Sequence, residues 1–397
     1  MLNTPFSPWP SYTLEEADAI NRVLLSNKVN YWTGTECREF EKEFAKWVGS
    51  SYAVALSNGT LALDVALKAM NIGKDDDVIV TSRTFLASAS SIVTSGANPV
   101  FADVDLNSQN ITAETIKAVL TPNTKAVIVV HLAGMPAEMD EIMALAEEHN
   151  LYVIEDCAQA HGAKYKGRSV GTIGHVGAWS FCQDKIMTTG GEGGMVTTND
   201  KMLWERMWSY KDHGKSYDAI YRRKHEPGFR WLHESFGTNW RMLEMQAVIG
   251  RIQLKRMADW TVKRQANGKA IDNAVADLNV VRCVDVPSYI EHAEYKHYLF
   301  IKPENLKEGW TRDKIIDEIN HQGVPAYQGS CSEVYLEKAF DNTPWRPKER
   351  LKNAVELGDN SLMFLVHPTL TDEEMQKTCR VLVDVLKKLY LITGVFR

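Results

Sequence analysis

Short apolar runs alternate with segments of helical periodicity through the first two-thirds of this 397-residue chain, and that alternation restricts the fold most. Tyr52–Leu56 leads into an apolar-periodic helix over Leu61–Met70, and Asp77–Val80 into a helix from about Phe85 to Ser95. Pro99–Asp103 and Lys125–His131 follow, the latter running into a helix near Met139–His149; then come Leu151–Glu155, Gly177–Phe181 and Gly194–Thr198. Strands apolar on both faces and separated by helices need crossover connections, so the pattern predicts an α/β fold with a mostly parallel sheet flanked by helices. A chain this long exceeds one simple core. The expected division is a large domain over 1–255, with the N-terminal segment, and a smaller α+β domain over 256–397. A helix from Met242 to about Asn273 would join them. In the second domain Tyr298–Ile301 reads as a strand, and Asp313–Gln322 and Asp372–Leu389 as helices. Between Trp204 and Trp240 charged and aromatic residues dominate, which reads as a long loop, and such loops are commonly functional.

Composition excludes several classes. With 24% charged residues and a net charge of -6, the chain is a poor match for nucleic acid or anionic membranes. No apolar run approaches the roughly 18–20 residues that span a bilayer. The start, Met-Leu-Asn-Thr-Pro-Phe-Ser-Pro, has neither the basic nor the apolar region of a secretory signal. Cys37, Cys157, Cys182, Cys283, Cys331 and Cys379 show no C-x-x-C spacing, which favours reduced thiols over disulfides or a zinc site. His131, His149, His161, His175 and His213 show no ligand spacing on one element, so no metal is expected. These features point to a cytoplasmic metabolic protein.

The chemistry concentrates in Glu155-Asp156-Cys157-Ala158-Gln159-Ala160-His161 and Ser180-Phe181-Cys182-Gln183-Asp184-Lys185, followed by the glycine cluster 190–194. A carboxylate at a strand end, a lysine after a strand-ending hydroxyl, and a Gly-rich bend are the parts pyridoxal phosphate requires. Lys185 would supply the Schiff-base amine and later move the proton between Cα and the ring-side carbon. A lysine in isolation is more often a surface amine; its context argues otherwise. Asp156 would hold the pyridine nitrogen protonated, keeping the ring an electron sink; the competing reading is a helix-capping carboxylate. Gln159 and His161 could each bond the ring hydroxyl or lie near the ring. Glu155 should face the other side of its strand. Ser57-Asn58-Gly59-Thr60 joins a strand to a helix, so the amides at Gly59 and Thr60, with the Thr60 and Ser180 hydroxyls, form an anion cradle. Ser-Asn-Gly is also ordinary turn and cap chemistry. Phe85 is placed either to stack on the ring or to fill the core.

Together these residues resemble the DegT/DnrJ/StrS sugar aminotransferases, a branch of the fold-type I pyridoxal-phosphate enzymes. The resemblance runs from Gly34 through 57–60, Thr84-Phe85, 155–160, Tyr165-Lys-Gly167, 171–174, Ser180-Phe181, Lys185 and 191–194 to Asp212-His-Gly214 and 239–242. It implies a two-step transfer from glutamate, released as 2-oxoglutarate, to a keto or aldehydo sugar. It also implies a homodimer in which Asn239 reaches the phosphate of the neighbouring subunit's cofactor. Two departures concern the sugar. The segment Gly323-Val-Pro-Ala-Tyr327 lacks the histidine that often precedes this tyrosine in the family, and the basic-aromatic stretch 215–238 is long. That stretch includes Arg222-Arg223-Lys224-His225, and the cluster Arg222, Arg223, Lys224 and Arg230 could clamp a carboxylate or phosphate or lie in a solvated loop. Arg241 is a candidate ligand for the glutamate carboxylate, and Tyr327 for the sugar. The acceptor expected is an acidic octulosonate of lipopolysaccharide; a nucleotide-linked 4-keto-6-deoxysugar is the alternative. Sugar dehydratases of the same fold carry histidine where Lys185 stands, and a non-catalytic scaffold would not need Lys185 and Asp156 together.

Overall fold

The computed structural model describes residues 5–389 except 225–227 and 229, so His225 lies outside the described residues. Two helices open the chain, α1 (Leu14–Leu25) and α2 (Glu36–Val48). Then follow β1 (Tyr52–Leu56), α3 (Gly59–Ala69), β2 (Asp77–Thr81), α4 (Leu86–Ser95), β3 (Asn98–Ala102), α5 (Ala113–Lys117), β4 (Thr124–Val130), α6 (Met139–Glu148) and β5 (Tyr152–Asp156). A small hairpin, β6 (Lys164–Tyr165) and β7 (Arg168–Ser169), precedes β8 (Val176–Ser180) and β9 (Gly194–Thr198). Three helices come next: α7 (Lys201–Tyr210), α8 (Tyr217–Tyr221) and α9 (Glu244–Val275). The remainder is β10 (Val281–Cys283), β11 (Ile290–Glu291), β12 (His297–Ile301), α10 (Arg312–His321), β13 (Ala326–Tyr327), α11 (Lys352–Asn360), β14 (Ser361–Phe364) and α12 (Asp372–Lys388).

The large sheet has the order β1-β9-β8-β5-β4-β2-β3. Its pairs are parallel except around β9, which runs antiparallel to both β1 and β8. Side chains alternate across it as a two-residue period demands. Val78, Val80, Ile128 and Ile154 join the core on one face, while Ile79, Val127, Val129 and Val153 join the core on the other. Because β1, β2, β4, β5 and β8 all point the same way, their carboxyl ends share one edge, where open sheets bind ligands. Asn58, Thr84, Asp156 and Ser180 come together there.

A second sheet, β10-β12-β14-β13, backs onto its own core. Ile271 and Val275, from the last turns of α9, belong to that core. The expected division at 255/256 therefore falls inside α9, which serves both halves. Predicted strands and helices match the observed ones to within two residues at the named bounds, with one correction. The stretch from Trp204 to Trp240 is not all loop: α7 occupies 201–210, and α8 follows. Asp200 caps α7 by accepting from the amides of Met202 (2.7 Å) and Leu203 (3.1 Å). Leu203, Met207 and Trp208 form its buried stripe, which the surrounding aromatic and charged residues disguise in the sequence.

Candidate active site

The strand ends enclose a cavity of about 600 Å³ lined by Asn58, Gly59, Thr60, Phe85, Asp156, Gln159, Ser180 and Lys185, among others. Asp156 ends β5 and is 6% exposed. Its Oδ2 accepts from Ser88 Oγ (2.8 Å) and its Oδ1 from the Ala158 amide (3.1 Å). Burial lifts its pKa above the ordinary aspartate value, against those bonds and the charge of Lys185. A carboxylate so placed gains from a cationic partner, and a protonated pyridine nitrogen is one. Ser88 was not foreseen from sequence. It lies one helical turn beyond Thr84, whose hydroxyl is 2.8 Å from its own, and only the fold carries it to Asp156.

Lys185 sits in the connection between β8 and β9. Its side chain is 15% exposed, and Nζ lies 3.9 Å from Asp184 Oδ1 and 5.3 Å from the centre of the Tyr295 ring. Tyr295 donates its hydroxyl to Asp184. Burial would raise the Asp184 carboxyl, yet Lys185 and then Tyr295 pull it below its ordinary value. The carbonyl of Lys185 accepts from Trp9 Nε1 (2.8 Å), which fixes the backbone under the amine.

The anion cradle forms at the start of α3. Asn58 accepts from the Leu61 amide (3.0 Å), while the first-turn amides of Gly59 and Thr60 have no helical acceptor. A Cβ on Gly59 would stand 2.5 Å from Ser180 Cβ, and one on Gly194 2.2 Å from the Asn58 carbonyl oxygen. Only glycine allows the α3 start, Ser180 and β9 to approach this closely. Gln159 spends Oε1 on the Ala133 amide (2.7 Å), leaving its Nε2 to donate. Phe85 is 71% exposed at the rim, so it is not a core aromatic. Glu155 faces away, as its strand position predicts: it is fully buried and accepts from Gly171, Ile173, Gly174 and His131.

Other predicted residues lie elsewhere. His161 is buried behind the cavity, tilted against Trp179 and Phe181 at 5.4 and 5.6 Å; it does not line the cavity. Arg241 is bound at 2.7 Å by Asp212, which its position in sequence did not reveal. Arg222 and Arg223 do not converge on the cavity: they pair with Glu205, Asp218 and Glu234 at the surface. Arg230 is exposed on the same loop. Asn239 bridges Asp212 outside the cavity, and Tyr327 is 45% exposed on β13 of the second sheet. His131, Glu155 and Cys157 lie close enough together to suggest a metal. Yet His131 Nδ1 accepts from the Ala137 amide (3.1 Å) and Nε2 faces Glu155 (3.0 Å), so neither nitrogen has a lone pair to offer.

The residues fit pyridoxal phosphate. Gly59, Thr60 and Ser180 would hold its phosphate, Asp156 its ring nitrogen, Gln159 its ring oxygen, and Lys185 its aldehyde carbon. Chemistry and shape thus agree on a class: this is a pyridoxal-phosphate-dependent aminotransferase of fold-type I. Residues 10–383 match the DegT/DnrJ/EryC1/StrS aminotransferase family, and the chain belongs to it, as a sugar aminotransferase. An aminotransferase from Psychrobacter cryohalolentis is 64% identical, with a TM-score of 0.95 over 97% of this chain and 100% of that one. GDP-perosamine synthase of Caulobacter vibrioides is 36% identical over 88% of this chain and 89% of its own length. GDP-perosamine synthase of Escherichia coli O157:H7 is 40% identical over 64% and 67% respectively.

Proposed function

We propose that the protein moves the amino group of L-glutamate to a keto or aldehydo sugar in two half-reactions. The observation that carries this is the convergence of Lys185, Asp156 and the Gly59–Ser180 cradle on one cavity. When bound, the cofactor would supply the electron sink and the carrier for the amino group between the two half-reactions. Lys185 holds and moves the proton at the substrate carbon. Asp156, steadied by Ser88 and Ala158, keeps the ring nitrogen protonated. The exposure of Phe85 and the outward position of Asn239 support a homodimer whose second subunit completes each site. Six free cysteines suit the cytoplasm.

For the acceptor, the absence of a histidine before Tyr327 supports an acidic octulosonate, aminated to 8-amino-3,8-dideoxy-octulosonate for lipopolysaccharide. A second reading, a nucleotide-linked 4-keto-6-deoxysugar, is favoured by the two GDP-perosamine synthases among the relatives. The deciding experiment is an absorbance spectrum of the cofactor-loaded protein before and after glutamate, followed by each acceptor. Loss of the visible band with glutamate and its return with one sugar is the expected result. A band that glutamate leaves unchanged would defeat the proposal, and the sugar that restores the band selects the acceptor.

A further inference from the structure

Lys185 stands on a bend outside any helix or strand, so bonds made by its own peptide groups must set its backbone direction. Its amide donates to the Cys182 carbonyl (3.1 Å), closing a local turn. Its carbonyl accepts from Trp9 Nε1 (2.8 Å), and among the described residues it has no other donor. One of the two holds on the lysine backbone thus comes from a side chain 176 residues away. With both holds in place, φ and ψ of Lys185 are set and its Cα–Cβ bond points one way. Without the indole, the peptide between Lys185 and Ile186 is free to turn, and the Cα moves with it.

The indole is itself firmly seated. Trp260 of α9 meets it edge-on at 5.1 Å, His367 stacks on it at 5.9 Å, and the Arg264 guanidinium lies 5.0 Å from its centre. The segment that carries Trp9 belongs to no helix or strand, yet it is fastened on both sides of that residue. Before it, Phe6 packs on the second core and Thr369 Oγ1 donates to the Pro8 carbonyl (2.8 Å). After it, the Tyr12 hydroxyl shares a hydrogen bond with Thr188 Oγ1 (3.4 Å), three residues beyond Lys185. Rings on several sides fix where the N–H points, and it points at the carbonyl of the one lysine in the cavity.

We infer that Trp9 is a positioning residue for Lys185: its indole N–H sets the backbone from which the amine reaches the cofactor's aldehyde carbon. This rests on the aminotransferase reading. The competing role is packing alone, in which the ring matters and the N–H does not.

The test uses the full-length chain with Trp9→Phe, and with benzothienylalanine in place of Trp9, which keeps the bicyclic shape and lacks the N–H. Should Trp9→Phe fold poorly, the isostere decides. Pyridoxal phosphate added to cofactor-free protein is the probe: Lys185 Nζ joins its aldehyde carbon, one water leaves, and the visible band grows. Band growth should slow roughly 10- to 100-fold, since a displacement of about 1 Å costs up to about 10²-fold. Inorganic phosphate, read by calorimetry, should bind within about twofold of wild type, because the Gly59–Ser180 cradle is untouched. Wild-type band growth in the isostere assigns Trp9 to packing and overturns the inference. An equal loss of phosphate binding and band growth marks a general loosening and overturns it too. If wild-type protein forms no band, the aminotransferase reading falls, and amide hydrogen exchange over 182–188 then decides Trp9. Faster exchange in the isostere supports the hold on Lys185; unchanged exchange removes it.

Discussion

Glu155→Gln tests the scaffold behind the catalytic strand. Glu155 Oε1 accepts from the amides of Ile173 (2.8 Å) and Gly174 (2.6 Å); Oε2 accepts from Gly171 (2.8 Å) and His131 Nε2 (3.0 Å). Burial would raise this carboxyl, but His131 and the Gly171 and Gly174 amides bring it below the ordinary glutamate value. Glutamine keeps one oxygen and points an N–H₂ at two donors. His131 cannot turn its ring chemistry round to help, because Nδ1 must accept from Ala137. Two bonds to a buried charge are therefore lost at about 1.5–3 kcal/mol each, or about 3–6 kcal/mol in all. That is a large part of a typical stability of about 5–15 kcal/mol. One kcal/mol moves Tm by about 2–4 °C in a domain of 150–250 residues, so a fall of at least about 6 °C is expected by scanning calorimetry. A fall under about 2 °C would refute this account of Glu155.

Lys185→Ala should remove the visible band and turnover together, and spectra with activity assays check it. Asp156→Asn should retain the cofactor but lose roughly 10²–10³-fold in rate, as when other preorganised charges are removed; near-normal turnover would take Asp156 out of the chemistry. Gly59→Ala sets a Cβ 2.5 Å from Ser180 Cβ. Such overpacking costs about 1–3 kcal/mol, so inorganic phosphate and cofactor should bind roughly tenfold more weakly by titration, while the helix itself is favoured. Paired with Glu294 and Asp272, His297 is raised from 6.5 to about 10. Its contribution is complete below pH 6.5 and is lost as pH rises through about 10. Glu294 and Asp272 are lowered, so theirs is present above the ordinary carboxylate range and lost as pH falls, while His292 beside them is held neutral by burial. Tm should therefore decline between pH 7 and 10 in wild type, and more steeply than in His297→Gln.

The residues whose place at the cavity was legible in sequence were those positioned locally. Asp156 and Gly59 announce themselves by standing at a strand end and a helix start, and Lys185 by its place between a hydroxyl and a glycine bend. Less legible were the surroundings of residues whose partner lies far along the chain. Arg241 looked free for a substrate until folding brought Asp212, 29 residues away, against it. Arg222 and Arg223 looked like a clamp, but a short helix and a returning loop deliver Asp218 and Glu234 to them. Ser88 reaches Asp156 across 68 residues, a pairing no local pattern encodes.

The position of α9 also bears on how the protein is made. α1 and α2, made about 200 residues before α9 is complete, find their support on α9: Phe40 packs against Gly250, and Glu16 accepts from Gln253 across 237 residues. At a synthesis rate of about 5–20 residues per second, the two helices wait roughly 10–50 s for that surface to emerge. For that interval Phe40 and Phe44 have no α9 to cover them. The nascent chain is thus expected to need a holding chaperone until residue 275 has cleared the exit tunnel, although the large sheet has all its strands by Thr198.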